Sequence, residues 1–349
     1  MDKKVVYISH VHARWIKQRP HFLSEGLANL GYDVTFAFSV ITRKTKLVKG
    51  QKLQLKLIAL ALMPQRLRNR FEWLSKVMDG IASLWIIAIC KPDIAIVSHP
   101  RFAFLARLLR HRGVKIIYDC MDLNSEFDDA LNQDIADERA LVDISFLTLC
   151  SSSKIADSIR AISPNSKMKI IRNALATGSY STLPQIESIR NRIGYFGTIS
   201  SWFDWEIVIG LVDCIEDIEI HLWGPVDSKP PTHERVFLHG QIEHSLVVQK
   251  MLACEILIMP FRVTPLIEGV DPVKLYEYIA TGRTAVSIRY AELDHFGALL
   301  NTYSSLNDLI EIVSDSRHRS GISENERSLF VSQNTWIRRA EELERALIE

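Results

Sequence analysis

What this 349-residue chain lacks narrows its function before anything it contains. No GxGxxG follows the first apolar run, where the residues read SHVHARWIKQRP, so the phosphate fingerprint of a dehydrogenase is missing. Five cysteines (Cys90, Cys120, Cys150, Cys214 and Cys254) are too scattered, and odd in number, for a disulfide framework or a zinc site. They read as reduced thiols of a cytosolic protein. No two histidines stand at metal-binding spacing. The longest apolar run, about Gly80–Cys90, falls short of the roughly 20 residues that span a bilayer. The N-terminus, MDKKVVYISH, has no signal-peptide core and reads as a first buried strand. The expectation is a cytoplasmic protein, soluble or peripheral on a membrane. Short repeats and low-complexity segments are absent as well.

Net charge is only +1, yet the charge is divided. Residues 1–172 carry 27 Lys/Arg and 16 Asp/Glu, and residues 173–349 carry 15 and 25. One half is basic and the other acidic, as two separately evolved surfaces would be. The basic excess concentrates between Arg43 and Arg70, with nine Lys/Arg, no acid and interleaved leucines. That stretch reads either as a solvated basic face beside a buried strand or as a patch for an anionic inner-leaflet membrane surface. Nucleic acid is not expected, because no stacking aromatics or known module accompany the charge.

Apolar runs of strand length alternate with amphipathic segments of helix length. In the first half the pattern predicts strands at Lys4–Ser9, Asp33–Ser39, Asp93–Ser98, Lys115–Asp119, Phe146–Cys150 and Lys169–Arg172. Helices are predicted between them, at Arg19–Leu30, Phe71–Lys91, Ala103–Arg112 and Ser152–Ile162. The second half repeats the pattern from Ile193–Phe196 to Thr284–Ile288. The polar stretch from Gly178 to Ser188 is the expected break. The fold class is α/β, with two Rossmann-like domains: 1–180, and 181–333, with a closing helix 334–349 packing back on the first.

The most informative stretch is Arg262–Val286, RVTPLIEGVDPVKLYEYIATGRTAV. It predicts a strand end, a loop, then a helix with Asp271 as N-cap, Pro272 at the first position and Gly282 closing it. Free N–H groups there favour an anion, Lys274 reaches toward the same anion, and Glu277 one turn on can accept two hydroxyls. A diphosphate and a ribose diol supply such partners. An ordinary capped helix with a surface Lys–Glu pair fits the spacing too.

Pro272, Lys274, Leu275, Glu277, Tyr278, Ala280, Gly282, Arg283, Ala285 and Val286 follow the pattern P-x-K-L-x-E-Y-x-A-x-G-K-P-V-V. The stretch resembles the donor-binding segment of group 1, family 4-like glycosyltransferases of the GT-B type, of the bacterial polysaccharide and teichuronic-acid kind. Weaker likeness runs along most of the chain. IGYFGT with Gly197 and Thr198, VFLHGQI with Gly240, Gln241 and Ile242, and the final NTWIRRA all resemble family segments in order. The resemblance implies a GT-B fold whose two domains face a central cleft, binding a nucleotide-sugar donor mainly through the second. It implies that Glu277 holds the ribose and Lys274 the diphosphate. It implies hexosyl transfer, retaining rather than inverting. No cofactor and no metal are expected, because the helix dipole and cations can stabilise the leaving diphosphate. The basic balance of the first half, concentrated in Arg43–Arg70 with its leucines, predicts a lipid-linked glycan acceptor at the inner membrane face. The family's second glutamate falls on Gly269, beside Glu268 and Val270, so the E-x7-E spacing is broken. Glu268 is carried as a catalytic or donor-sugar candidate and Arg262 as a diphosphate candidate. Asp119 and Asp122, at the end of a predicted strand, are candidates for general base or acceptor holding, or for turn and cap residues. Trp15, Arg19 and His99 are acceptor candidates. A non-catalytic nucleotide-sugar-binding scaffold and a nucleotide-sugar epimerase remain open alternatives.

Overall fold

The structure, a computed structural model, describes residues 3–40, 53–68, 70–124, 132–176, 178, 180–227, 229–316 and 321–348. The chain divides into two units, Met1–Asn173 with Trp336–Glu349, and Ala174–Thr335.

The first unit runs through β1 (Lys4–Ser9), α1 (Arg19–Asn29), β2 (Asp33–Ser39), β3 (Lys56–Leu60), α2 (Gln65–Arg68) and α3 (Glu72–Cys90). It continues with β4 (Ile94–Val97), a 3-10 turn (Pro100–Phe102), α4 (Ala103–His111), β5 (Lys115–Cys120), α5 (Asn132–Ile144), β6 (Leu147–Cys150), α6 (Ser153–Ile162) and β7 (Met168–Ile170). All seven strands pair in parallel in the order β3-β2-β1-β4-β5-β6-β7. β4 reads Ile-Ala-Ile-Val and β6 Leu-Thr-Leu-Cys, buried at every position, as strands covered on both faces must be.

The second unit comprises β8 (Ile189–Phe196), α7 (Trp205–Cys214), β9 (Glu219–Trp223), β10 (Val236–Gly240), α8 (His244–Leu252) and β11 (Cys254–Met259). Then come α9 (Pro265–Glu268), α10 (Val273–Ala280), β12 (Thr284–Ile288), β13 (Asn301–Tyr303), α11 (Leu306–Ser316) and α12 (Glu324–Gln333). Its sheet is also parallel, in the order β10-β9-β8-β11-β12-β13. The last helix, α13 (Trp336–Ile348), belongs to the first unit. There Trp336 stacks on Phe22 of α1 at 5.2 Å, and Arg339 Nε donates to the Asn173 carbonyl at 3.1 Å.

Both strand orders are those of the doubly wound sheet. They reverse between β1 and β4 in one unit and between β8 and β11 in the other. Ligand crevices in such sheets lie outside the carboxyl ends of the strands at the reversal.

The apolar run around Gly80–Cys90 is the second part of the 19-residue helix α3, which lies within the predicted Phe71–Lys91 and opens on an exposed Glu72–Lys76 pair at 2.6 Å. By length and composition this helix is sufficient to cross a membrane. The basic stretch Arg43–Arg70 lies only partly within the described residues, since 41–52 fall outside them. The acids Glu126, Asp128 and Asp129 also lie outside the described residues.

Candidate functional site

In the second unit three neighbouring strands reach glycine at their carboxyl ends: Gly197 after β8, Gly224 after β9 and Gly240 closing β10. Gly197 N donates to the Trp223 carbonyl and Gly224 N to the Gly240 carbonyl, each at 2.9 Å. Gly224 has φ +148, and a Cβ there would lie 1.8 Å from the Gly197 oxygen. The result is a floor of bare backbone at three adjacent strand ends, with Gly197 packed against Tyr195, Gly224 against Gly197, and open space where a Cβ of Gly240 would stand. Thr198 follows it, its carbonyl accepting from Tyr195 Oη at 2.8 Å. Trp223 stacks between Phe196 at 4.5 Å and His239 at 4.6 Å, stiffening the strand ends under the floor. Gln241 is exposed and Ile242 half-buried in the segment that leaves β10. In the sequence Gly224 marks only the turn that ends a strand and is no donor-site candidate, because Gly-Pro after a strand looks like any turn.

Helix α10 is fastened to this floor. Tyr278 Oη accepts from Phe196 N at 2.9 Å, one residue before Gly197. The predicted cap needs correction: the N-cap is Pro272, with ψ 111, and the helix starts at Val273. Asp271 is not the cap because Tyr276 claims it, with Tyr276 Oη donating to the two carboxylate oxygens at 3.0 and 3.2 Å. Lys274 Nζ donates to Glu277 Oε2 at 2.8 Å. The lysine is half-exposed and the glutamate nearly buried. Tyr180, buried and in the segment read as a linker, hydrogen-bonds Glu277; burial and then that carboxylate raise its phenol pKa. No sequence signal marked Tyr180, since its partner lies far away in the chain.

The loop before α10 is held from behind. Tyr290 Oη donates to the Val270 carbonyl at 3.1 Å, and Gly269 is buried with its N–H on the Leu266 carbonyl at 3.1 Å. Glu268 ends the short helix α9, half-buried. Arg262 is exposed after β11, with Asp204 at 3.8 Å and Glu206 at 3.6 Å. Its charge is therefore shared with carboxylates as well as offered to a ligand. Among the described residues, Asp271, Glu292 and His295 bring one potential metal-ligand atom each within 4.8 Å. The Tyr276 hydroxyl stands among them, 3.1 Å from His295 Nε2, so the group also serves as a loop anchor.

In the first unit the strand reversal brings His10, after β1, beside His99, after β4, with ring centroids 5.2 Å apart. Ser98 Oγ lies 3.0 Å from His10 Nδ1. His99 Nδ1 accepts from Arg101 N at 3.0 Å. Burial, then His10 and Arg101, lower its pKa to about 3, so at neutral pH the ring is uncharged and, with Nδ1 accepting, Nε2 carries the proton. Asp122, after β5, is half-buried, and desolvation raises its carboxyl pKa above the ordinary value. Trp15 is half-buried in the loop after β1, its N–H on the His12 carbonyl at 2.9 Å.

Asp119 and Arg19 call for a correction. Arg19 Nη2 lies 2.9 Å from Asp119 Oδ1, Nε donates to the same carboxylate at 2.9 Å, and Tyr7 Oη donates to it as well. Asp119 is fully buried and Arg19 nearly so, and Arg19 Nη1 reaches the Ile171 carbonyl at 2.8 Å. Their charges are spent on each other inside the unit, tying α1 to β5 and to the segment after β7. A cavity of about 610 Å³ opens elsewhere in this unit, among α3, α4 and α5. Arg68 and Asp137 in its wall pair at 2.6 Å, and no sequence-predicted site residue lines it.

No family model matches the chain, and no curated protein matches it by sequence. Solved structures do match in shape. Sucrose-phosphate synthase from Thermosynechococcus elongatus superposes with a TM-score of 0.73 at 14% identity, over 99% of this chain and 98% of that one. The lipopolysaccharide outer core galactosyltransferase WaaB gives 0.72 at 14% identity, over 99% of each. HepE from Anabaena, solved with UDP and glucose, gives 0.73 at 11% identity, over 99% of this chain and 100% of that one. The chain has the GT-B fold that these glycosyltransferases share.

Proposed function

We propose that this protein is a glycosyltransferase whose second unit binds a nucleotide-sugar donor and whose first unit binds the acceptor. The observation that carries this reading is the glycine floor of Gly197, Gly224 and Gly240, fastened through Tyr278 to the helix bearing Lys274 and Glu277. Backbone N–H groups at the start of α10 and the Lys274 ammonium suit a diphosphate. Glu277, held in place by Lys274 and Tyr180, suits a ribose diol, and the open space at Gly240 lets a base approach the main chain. The Anabaena protein of the same fold was solved with UDP, which makes UDP-sugars the first donors to try.

In the transfer, an acceptor hydroxyl oxygen bonds to the anomeric carbon. The bond from that carbon to the diphosphate oxygen breaks, with its electron pair leaving on the diphosphate. The hydroxyl proton passes to a base, and our candidate for it is Asp122 of the first unit, half-buried with a raised pKa. Lys274, Arg262 and the helix dipole offset the charge that develops on the leaving diphosphate. Direct attack with Asp122 as base inverts the anomeric centre. Retention, which the resemblance implies, calls for a donor-side group such as Glu268. The anomeric configuration of the product, read by NMR, decides which carboxylate acts. We carry the acceptor as a lipid-linked glycan of a bacterial surface polysaccharide, a hexose being transferred.

Calorimetry against UDP, GDP, dTDP and CMP sugars tests the donor site. One of them binds, and Glu277→Ala weakens it by roughly 10- to 100-fold, as the loss of charge-assisted hydrogen bonds requires. An unchanged Kd removes the reading. Gly269, standing where the family carries its second glutamate, favours one other reading, a nucleotide-sugar-binding protein without turnover. Tight binding with no transfer or hydrolysis identifies it.

A further inference from the structure

Helix α3 is built inside out for a helix facing water. Its buried positions are Ser75, Asp79, Ala82, Ser83 and Ile86. Its solvent-facing positions carry Trp73, Val77, Ile81, Leu84, Trp85 and Ile89, each at least 50% exposed. The spacing places these six along one broad face opposite the buried one. From Trp73 to Ile89 that face extends about 24 Å along the axis. Isolated exposed apolar side chains are ordinary, but a contiguous stripe with two tryptophans is covered by something in the working protein.

We propose that this face of α3 docks the first unit on an anionic lipid bilayer, with the helix lying in the plane of the interface. The helix does not leave the fold to span the bilayer, because Ala82 and Ile86 sit in the core with Val6, Ile8 and Phe102. Charge selects the lipid. From Lys56 to Lys115 eleven Lys/Arg stand against three Asp/Glu. Of those acids, Asp79 is buried and Glu72 is paired with Lys76 at 2.6 Å. Arg70 and Lys91 flank the two ends of the helix, and Arg107, Arg110 and Arg112 are exposed on or just after α4, which packs beside it. Lys76 lies over the Phe104 ring of α4 at 6.0 Å, its charged end near the rim of the stripe. An apolar strip with tryptophans near both ends and a cationic rim matches acyl chains below and anionic headgroups around it. A second copy of the chain suits it less well, since a two-fold contact through α3 brings the two cationic rims together. This inference stands apart from the donor site and survives if that reading fails.

The test is co-sedimentation of the full chain with vesicles of mixed phosphatidylglycerol and phosphatidylcholine, and with phosphatidylcholine alone. The expected result is binding to the mixed vesicles, weakened by salt and by omission of the anionic lipid. Combining Trp73→Glu, Ile81→Glu and Trp85→Glu should weaken binding at least tenfold with little change in the unfolding temperature, because more than half of each side chain faces solvent. Wild-type protein on vesicles containing brominated phosphatidylcholine supplies a readout free of substitutions: tryptophan emission falls as the α3 indoles meet the bromines. Three results overturn the proposal. They are wild-type protein left in the supernatant, pelleted protein with unquenched emission, and a wild-type dimer that the triple variant dissociates, which assigns the face to a second copy.

Discussion

The Tyr180 hydroxyl and the Glu277 carboxylate are hydrogen-bonded, although one lies in the segment that leads into the second unit and the other on α10. Lys274 takes Oε2 of the same carboxylate at 2.8 Å, so the glutamate is held from two sides before any ligand arrives. Such fixing lowers the ordering cost of binding. Tyr180→Phe keeps the packing and removes one hydrogen bond, worth about 1 kcal/mol. The nucleotide Kd, measured by calorimetry, should rise about fivefold with the unfolding temperature little changed. An unaltered Kd would mean that Tyr180 only fills space.

Gly224 tolerates no side chain. Its φ of +148 is open to glycine, and an added Cβ would strike the Gly197 oxygen. Gly224→Ala should cost about 3 kcal/mol or more and abolish nucleotide binding. Equilibrium urea unfolding and a binding titration read the two effects separately.

Arg19 and Asp119 form a buried pair, and removing one partner strands the other. Arg19→Met should destabilise the first unit by about 3–5 kcal/mol. An acceptor-contact role predicts the opposite pattern, with stability kept and KM for the acceptor raised. Urea unfolding alongside steady-state kinetics separates them.

Asp122 gives the pH dependence of turnover its sign. A base works deprotonated, so kcat/KM should climb as pH rises through its pKa. Burial lifts that pKa above 3.8, moving the acid limb toward neutrality. Asp122→Asn should lower kcat by about 100-fold or more and erase this limb. A limb that persists in the variant belongs to another group.

His21 links stability to acid. It is fully buried, and desolvation lowers its pKa from 6.5 to about 4. Below pH 6.5 the unfolded chain takes up a proton that the folded chain refuses. The stabilisation is complete above about pH 6.5 and is lost as pH falls through 4. Its size is on the order of 3 kcal/mol. Urea unfolding at pH 7 and pH 4.5 should show the decline, and His21→Gln should lessen it by this one share, since burial lowers His10 and His99 in the same way.

Much of this protein was legible in its residues alone. Continuous apolar runs such as Ile94–Val97 suit strands buried on both faces, and their alternation with helix-length segments already implied parallel sheets. The Lys274–Glu277 pair was legible for the same reason, since i and i+3 on one helix are neighbours wherever the helix goes. Side-chain partners drawn from distant segments were not. Asp119 looked free to act as a base until α1 and β1 brought Arg19 and Tyr7 onto it. Asp271 looked like a cap until Tyr276 turned back to it, and Tyr180 looked like linker until it met Glu277. In α3, apolar residues lie almost all round the helix, so its pattern says that it is apolar without saying which side faces in. The sheet order and the packing of α4 decide that, turning serines and an aspartate inward and two tryptophans outward. Local periodicity is a property of neighbouring residues, whereas burial and pairing depend on which strands and helices end up adjacent in space.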